Sequence, residues 1–175
     1  MYKAKIFREY DIRGVVGEDF DEDFARLLGR AFARVLKDHG GRTASVGRDC
    51  RLSSPSLFEA LTKGITESGV DVWDIGVVTT PMSYFSLFQC PVDGGMQVSG
   101  SHNPPDQNGF KISIGQDTLY GSGIQKLKEI IEKQDFPEGQ GKVEEHPIRE
   151  DYIKWVSDNI KLERPLKVVV DAGNG

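Results

Sequence analysis

Ser101 and His102 stand side by side in the run Val98-Ser99-Gly100-Ser101-His102-Asn103-Pro104-Pro105-Asp106-Gln107-Asn108-Gly109-Phe110-Lys111, which Lys111 closes. A hydroxyl beside an imidazole is a candidate nucleophile with a base, and an ammonium brought back towards it suits an anionic group in transit. Pro104-Pro105 stiffen the backbone between them, and Asn108-Gly109 reads as the tight turn that returns Lys111. Gly100 lacks a Cβ and leaves room for a bulky anion beside Ser101.

These groups need a frame. Gly94 to Ser99 reads as a short apolar strand, and Phe110 to Ile114 alternates apolar and polar residues as a half-buried strand does. Upstream, Asp19 to His39 carries Phe20, Phe24, Leu27, Leu28, Ala31, Phe32, Val35 and Leu36 on one helical stripe, stopped by Gly40-Gly41. Thr43 to Gly47 reads as a strand, Ser54-Pro55 opens a helix through Ser68, Gly69 ends it, and Val70 to Val78 is the next strand. Pro81 to Cys90 reads as a short helix with Phe85 and Phe88 in the core. Ser122 is expected to cap a helix that buries Ile124, Leu127, Ile130 and Ile131. Alternating strands and helices imply an α/β fold: a mixed, mostly parallel sheet sandwiched by helices, to which the Ser101 hairpin adds an antiparallel piece.

The stretch Asp135 to Pro147 carries Pro, Gly and charge without amphipathic period, so it is read as the boundary of a first unit, residues 1–147. Ile148 to Lys161 then reads as a helix and Leu166 to Val170 as a strand, together the truncated start of a second unit, residues 148–175.

The bland reading of the central run is a polar loop with ordinary turn chemistry. The whole string is more specific: Ser-His-Asn-Pro followed by Asn-Gly-Phe-Lys resembles the phosphoserine loop of the α-D-phosphohexomutases. Phe7-Arg8-Glu9-Tyr10-Asp11-Ile12-Arg13-Gly14 resembles the N-terminal signature of their phosphomannomutase/phosphoglucomutase branch, and Gly47-Arg48-Asp49 with Arg51 and Ser53 also fits the family pattern. That third string equally suits a helix start and is assigned a structural role first.

The resemblance implies a phosphohexomutase domain 1. Ser101 would carry a phosphoryl group exchanged with a hexose 1- or 6-phosphate, of mannose or glucose, through a hexose 1,6-bisphosphate. Phosphorylated Ser101 would be a ligand of Mg²⁺, with the other ligands on an Asp-rich loop that this sequence lacks. Lys111 would stabilise the phosphoryl group or move a proton, His102 would hydrogen-bond phosphoryl oxygens or orient the loop, Arg13 would bind phosphate, and Tyr10 would line the same cleft. His39 and His146 suit capping or solvation. The family has four domains, so the chain is read as the N-terminal part of such an enzyme, inactive alone, and its apolar last strand as a point of possible self-association.

Three rivals accompany this reading: a noncatalytic α/β module binding a phosphorylated metabolite, a phosphoglucosamine mutase, and a serine hydrolase using Ser101 and His102. The hydrolase lacks a Gly-x-Ser-x-Gly elbow and an evident third group for the imidazole. A net charge of −5 disfavours nucleic acid and anionic membranes as partners. No apolar run approaches the ~20 residues needed to span a bilayer, and Cys50 and Cys90 read as reduced thiols, so a cytoplasmic location is expected.

Overall fold

The computed structural model describes residues 2–173. After a 3-10 turn at Ala4–Ile6 the elements are β1 (Ile12–Val15), α1 (Glu22–Asp38), β2 (Thr43–Arg48), α2 (Ser54–Glu67), β3 (Asp71–Val77), α3 (Thr80–Gln89), β4 (Gly94–Val98), β5 (Gln107–Ile114), β6 (Asp117–Thr118), α4 (Ser122–Lys133), β7 (Val143–Glu145) and α5 (Arg149–Asn159). The strands form one seven-stranded sheet in the order β1-β5-β4-β2-β3-β7, with β6 beside β5. β4, β2, β3 and β7 run parallel, as crossover helices require, and β5 turns back antiparallel to both β4 and β1. The expected helix-covered α/β sheet is therefore present.

The main core lies on one face, where Ala44, Val46, Met96, Val98, Phe110 and Ile112 of the sheet meet the apolar stripes of α1, α2 and α4. α1 and α2 approach closely because Gly29 and Gly64 lie in their contact; a Cβ at either would run into the backbone carbonyl of Leu61 or Arg26. α3 covers the other face, with a buried Ser45–Ser86 hydroxyl pair at 2.7 Å. A smaller core of Ile75, Val78, Met82 and Ile148 lies there too.

Several expectations change at the element ends. α1 starts at Glu22, capped by the Asp21 carboxylate, which accepts the Phe24 N–H at 3.0 Å. Asp19 instead turns back to accept the Val15 N–H at 3.1 Å and to pair with Lys3 and Lys5, each at 3.0 Å. Asn108-Gly109 is no turn: both residues lie in β5 opposite Gly14 and Arg13, because β1 supplies a strand partner that the local dipeptide does not reveal. The cap of α4 is Gly121 at φ +51°, with Ser122 inside the helix making no capping bond. Phe85 is half-buried against Tyr152 and Trp155, but Phe88 is 59% exposed, since a ten-residue helix resting on the sheet by one side has an outer side.

The stretch taken as a linker holds β7, which pairs with β3 at Val72, Trp73 and Asp74, and Ile148 is fully buried. Leu166 to Val170 form no strand; their side chains are exposed because none of the described residues pairs with them. Asn174 and Gly175, the end of the expected second-unit loop, lie outside the described residues. No helix among the described residues is long and apolar enough to cross a membrane.

Candidate active site

The loop between β4 and β5 carries Ser101 at its exposed tip, and the loop is polar, proline-rich and strapped from several sides. Ser101 has φ +53°, a left-handed conformation that costs a non-glycine residue free energy and persists only when neighbours enforce it. Those neighbours are specific. Asp49, just past the end of β2, accepts the Gly100 N–H at 3.0 Å, and Ser99 Oγ accepts the Ser101 N–H at 3.0 Å. Arg51 donates to the carbonyls of Ser101, Asn103, Pro104 and Gln107 at 3.1, 2.6, 2.6 and 2.9 Å. Asn103 donates to Gln107 Oε1 at 3.0 Å across the loop.

The base of the loop is tied to α2. Asn108 is fully buried and donates to the Ser53 and Ser54 hydroxyls, each at 2.9 Å, while Ser54 in turn donates to Asp49. The Gly47-Arg48-Asp49 string thus has the structural role assigned to it, and its Asp49 and Arg51 reach the Ser101 loop directly. Arg48 itself bonds Asp74 at 2.8 Å and lies 4.1 Å from the Phe58 ring centroid.

Ser101 Oγ lies 3.3 Å from His102 Nδ1. No carboxylate or other third group hydrogen-bonds that imidazole among the described residues, so the orienting partner of a hydrolytic triad is missing. Arg13, on β1, reaches the loop from the opposite side: Nη1 is 3.4 Å from Asn103 Oδ1, and Nε bonds both Asp11 oxygens at 3.0 and 2.9 Å. The Asp11 hydrogen bond raises the already high pKa of the guanidinium against the opposing effect of burial, so Arg13 stays charged.

Lys111 sits in β5 opposite Gln97, two residues from Gly109, which faces Arg13 across the β1–β5 ladder. Residues two apart on a strand share a face, so Arg13 and Lys111 project from one side of the sheet. Lys111 is half-buried and makes no hydrogen bond or ion pair among the described residues, an ammonium with its donors free. Tyr10 is 69% exposed, its ring 6.4 Å from that of Tyr120, and the backbone around it is tethered by Gly121 N–H to Glu9 C=O at 2.7 Å. Among the described residues no hydrogen bond joins Tyr10 to the Ser101 loop. Ser101 and His102 therefore stand together, Arg13 reaches the same loop at Asn103, Lys111 lies on the sheet face of Arg13, and Tyr10 sits on a separate aromatic pair.

Arg51, Asp49 and Asn108 matter to this loop more than their sequence context suggests. Their signal is spacing: an Asp and an Arg just after a parallel strand sit at the sheet end where the neighbouring strand's loop also emerges. The described residues include no group of three or more His, Cys, Asp or Glu side chains placed to hold a metal ion.

A serine loop strapped by Arg51 and Asp49 thus stands at the end of a mixed α/β sheet. The family model for phosphoglucomutase/phosphomannomutase, alpha/beta/alpha domain I, matches residues 4–138, and the chain belongs to that family. It is 46% identical over 172 residues to a phosphoglucomutase of Neisseria meningitidis, covering 97% of this chain and 37% of the relative. Against a phosphomannomutase/phosphoglucomutase of Pseudomonas aeruginosa the identity is 45%, covering 98% of this chain and 37% of the relative. A crystal structure of a phosphoglucomutase/phosphomannomutase family protein from Burkholderia thailandensis superposes with a TM-score of 0.94 at 44% identity, covering all of this chain and 40% of the other. The chain thus spans well under half the length of these relatives.

Proposed function

We propose that this chain is the phosphoryl-carrying part of an enzyme that interconverts hexose 1-phosphates and hexose 6-phosphates, of glucose, mannose or both. The observation that carries the reading is Ser101: an exposed hydroxyl on a backbone held left-handed, beside an imidazole and on a loop that a charged arginine contacts at Asn103. Phosphoryl transfer places its developing charge on the phosphoryl oxygens, so it needs positioned donors and an in-line nucleophile more than covalent machinery.

In the forward half-reaction the Oγ–P bond of phosphorylated Ser101 breaks as a bond forms from phosphorus to the free sugar hydroxyl, and the hydroxyl proton ends on Ser101 Oγ. The product is a hexose 1,6-bisphosphate. After it reorients, its other phosphoryl group returns to Ser101 by the same step reversed, leaving phosphate moved between C1 and C6. Arg13 and Lys111 are the cations available to the phosphoryl oxygens, Lys111 with free donors and Arg13 through Nη1. His102 hydrogen-bonds the Ser101 oxygen when it is unphosphorylated and a phosphoryl oxygen when it is not. Tyr10, exposed on its own aromatic pair, would meet the sugar rather than the phosphoryl group. A phosphorylated Ser101 would offer Mg²⁺ one oxygen, and the other ligands would come from outside this chain.

The first unit, residues 1–147, would then present the carrier and residues 148–175 would lead into the next. The test is Ser101→Ala in an enzyme of the relatives' full length carrying this domain. Mutase activity towards glucose 1-phosphate is expected to fall at least about 10³-fold with the melting temperature unchanged, as for removal of a covalent nucleophile. Near wild-type turnover by that variant contradicts the proposal.

A further inference from the structure

We infer that Arg51 is a positioning residue for the transfer at Ser101: by gathering the loop carbonyls it holds the left-handed serine in place and keeps those carbonyls from facing an incoming anion. The inference rests on the Ser101 reading and adds a part to it. Arg51 is largely buried beneath the loop, its side chain 15% exposed, and Nε lies 3.4 Å from Asp49 Oδ2. Nη1 serves Pro104 and Gln107, and Nη2 serves Ser101 and Asn103. A planar fork of donors can meet that many carbonyls at once; a lysine ammonium, a single point with rotating donors, cannot.

Three consequences follow from this geometry. Gly100 N–H goes to Asp49, Ser101 N–H to Ser99 and Ser101 C=O to Arg51, so both peptide groups flanking the Ser101 Cα are held and its φ of +53° is enforced. Gly100 is required for the same reason, since a Cβ there would strike the Arg51 guanidinium. The carbonyls of Ser101 and Asn103 are engaged by Arg51, whereas the His102 backbone N–H has no partner among the described residues.

Arg51 and Arg13 are thereby separated in role. Arg13 keeps donor capacity, because its contact to Asn103 is long at 3.4 Å. Arg51 has its terminal nitrogens committed to protein carbonyls and does not bind substrate.

The experiment measures amide hydrogen exchange in the 175-residue chain with Arg51→Lys, and kcat and KM in the full-length enzyme carrying the same change. Exchange at Gly100, Ser101, Asn103 and Gln107 is expected to accelerate at least about tenfold, with α1 and β2 unaffected. Loss of kcat on the order of 10²-fold with KM within about twofold is expected for misplacement of a reacting atom. Wild-type exchange in the loop, or a raised KM at constant kcat, overturns the inference. Arg51→Gly supplies a second arm should the lysine variant loosen the whole chain. Millimolar guanidinium is expected to restore protection to the loop amides, and absence of that rescue also overturns it. Ser101→Ala separates this inference from the reading beneath it: it is expected to abolish transfer while loop exchange stays slow.

Discussion

Two connections in this molecule reverse the usual relation between apolar character and order. Residues 99–106 are polar, carry two prolines and form no regular structure, yet Arg51, Asp49 and Ser99 side chains hold most of the loop's backbone groups around Ser101. Residues 166–170, Leu-Lys-Val-Val-Val, have the composition of a buried strand, yet Val169 is 95% exposed and no backbone hydrogen bond ties them to any described residue. A strand needs a neighbour to receive its N–H and C=O groups, and side-chain propensity does not supply one. Side-chain donors and acceptors from distant segments do supply that for an irregular loop.

After loss of Ser101 itself, the largest expected effect comes from removing the two cations proposed to serve the phosphoryl group. Arg13→Ala and Lys111→Met should each lower kcat of the full-length enzyme about 10²–10³-fold, the scale for losing one donor to a developing oxyanion, with smaller changes in KM. Steady-state kinetics check this, and a rise in KM alone would place these charges in ground-state binding.

Loosening the base of the loop comes next. Asn108→Ala leaves the Ser53 and Ser54 hydroxyls without their donor and frees the Gly109 N–H, which Asn108 Oδ1 accepts at 2.8 Å. A buried network broken on one side costs about 1–3 kcal/mol, so urea unfolding of the chain should shift by that amount.

How much of this was legible in the sequence follows from which interactions are local. The stripe of α1, the helix start at Ser54-Pro55 and the crossover order could be read, because periodicity and caps act within a few residues. The nature of Asn108-Gly109 could not, because pairing with β1 overrode the turn preference of the dipeptide. The brace from Arg51 was half legible: its motif was visible, while the loop it holds lies fifty residues further along the chain. Phe88 and residues 166–170 were misread for one reason, that apolar character alone does not say which neighbours are present.

Asp19 offers a test by pH. The Val15 N–H, then Lys3 and Lys5, hold its carboxyl well below the ordinary carboxylate range. A depressed folded-state value contributes stability that is complete above the unfolded value near about 4 and is lost as pH falls below it towards the folded value. The difference in melting temperature between the wild-type chain and Asp19→Asn should therefore be constant from neutrality to about pH 5 and shrink below about pH 4. A difference that does not change with acidification would contradict the assignment.

The smallest effect is expected in the tail. Val169→Lys should alter the stability of the 175-residue chain by no more than about 0.5 kcal/mol, as at other uncommitted surface positions. It should lower any concentration-dependent self-association seen by sedimentation, since a lysine interrupts an exposed apolar run that could pair with another chain. A destabilisation comparable with that of Asn108→Ala would show that the tail is packed after all.

Ser101 is the proposed phosphoryl carrier. Its most direct test is to incubate the full-length enzyme carrying this domain with glucose 1,6-bisphosphate and map phosphate on the peptide that spans Val98 to Lys111. The account predicts one phosphoryl group, on Ser101, discharged when glucose 6-phosphate is added. An unmodified peptide in an active enzyme, or phosphate on another residue that turns over with substrate, would contradict it.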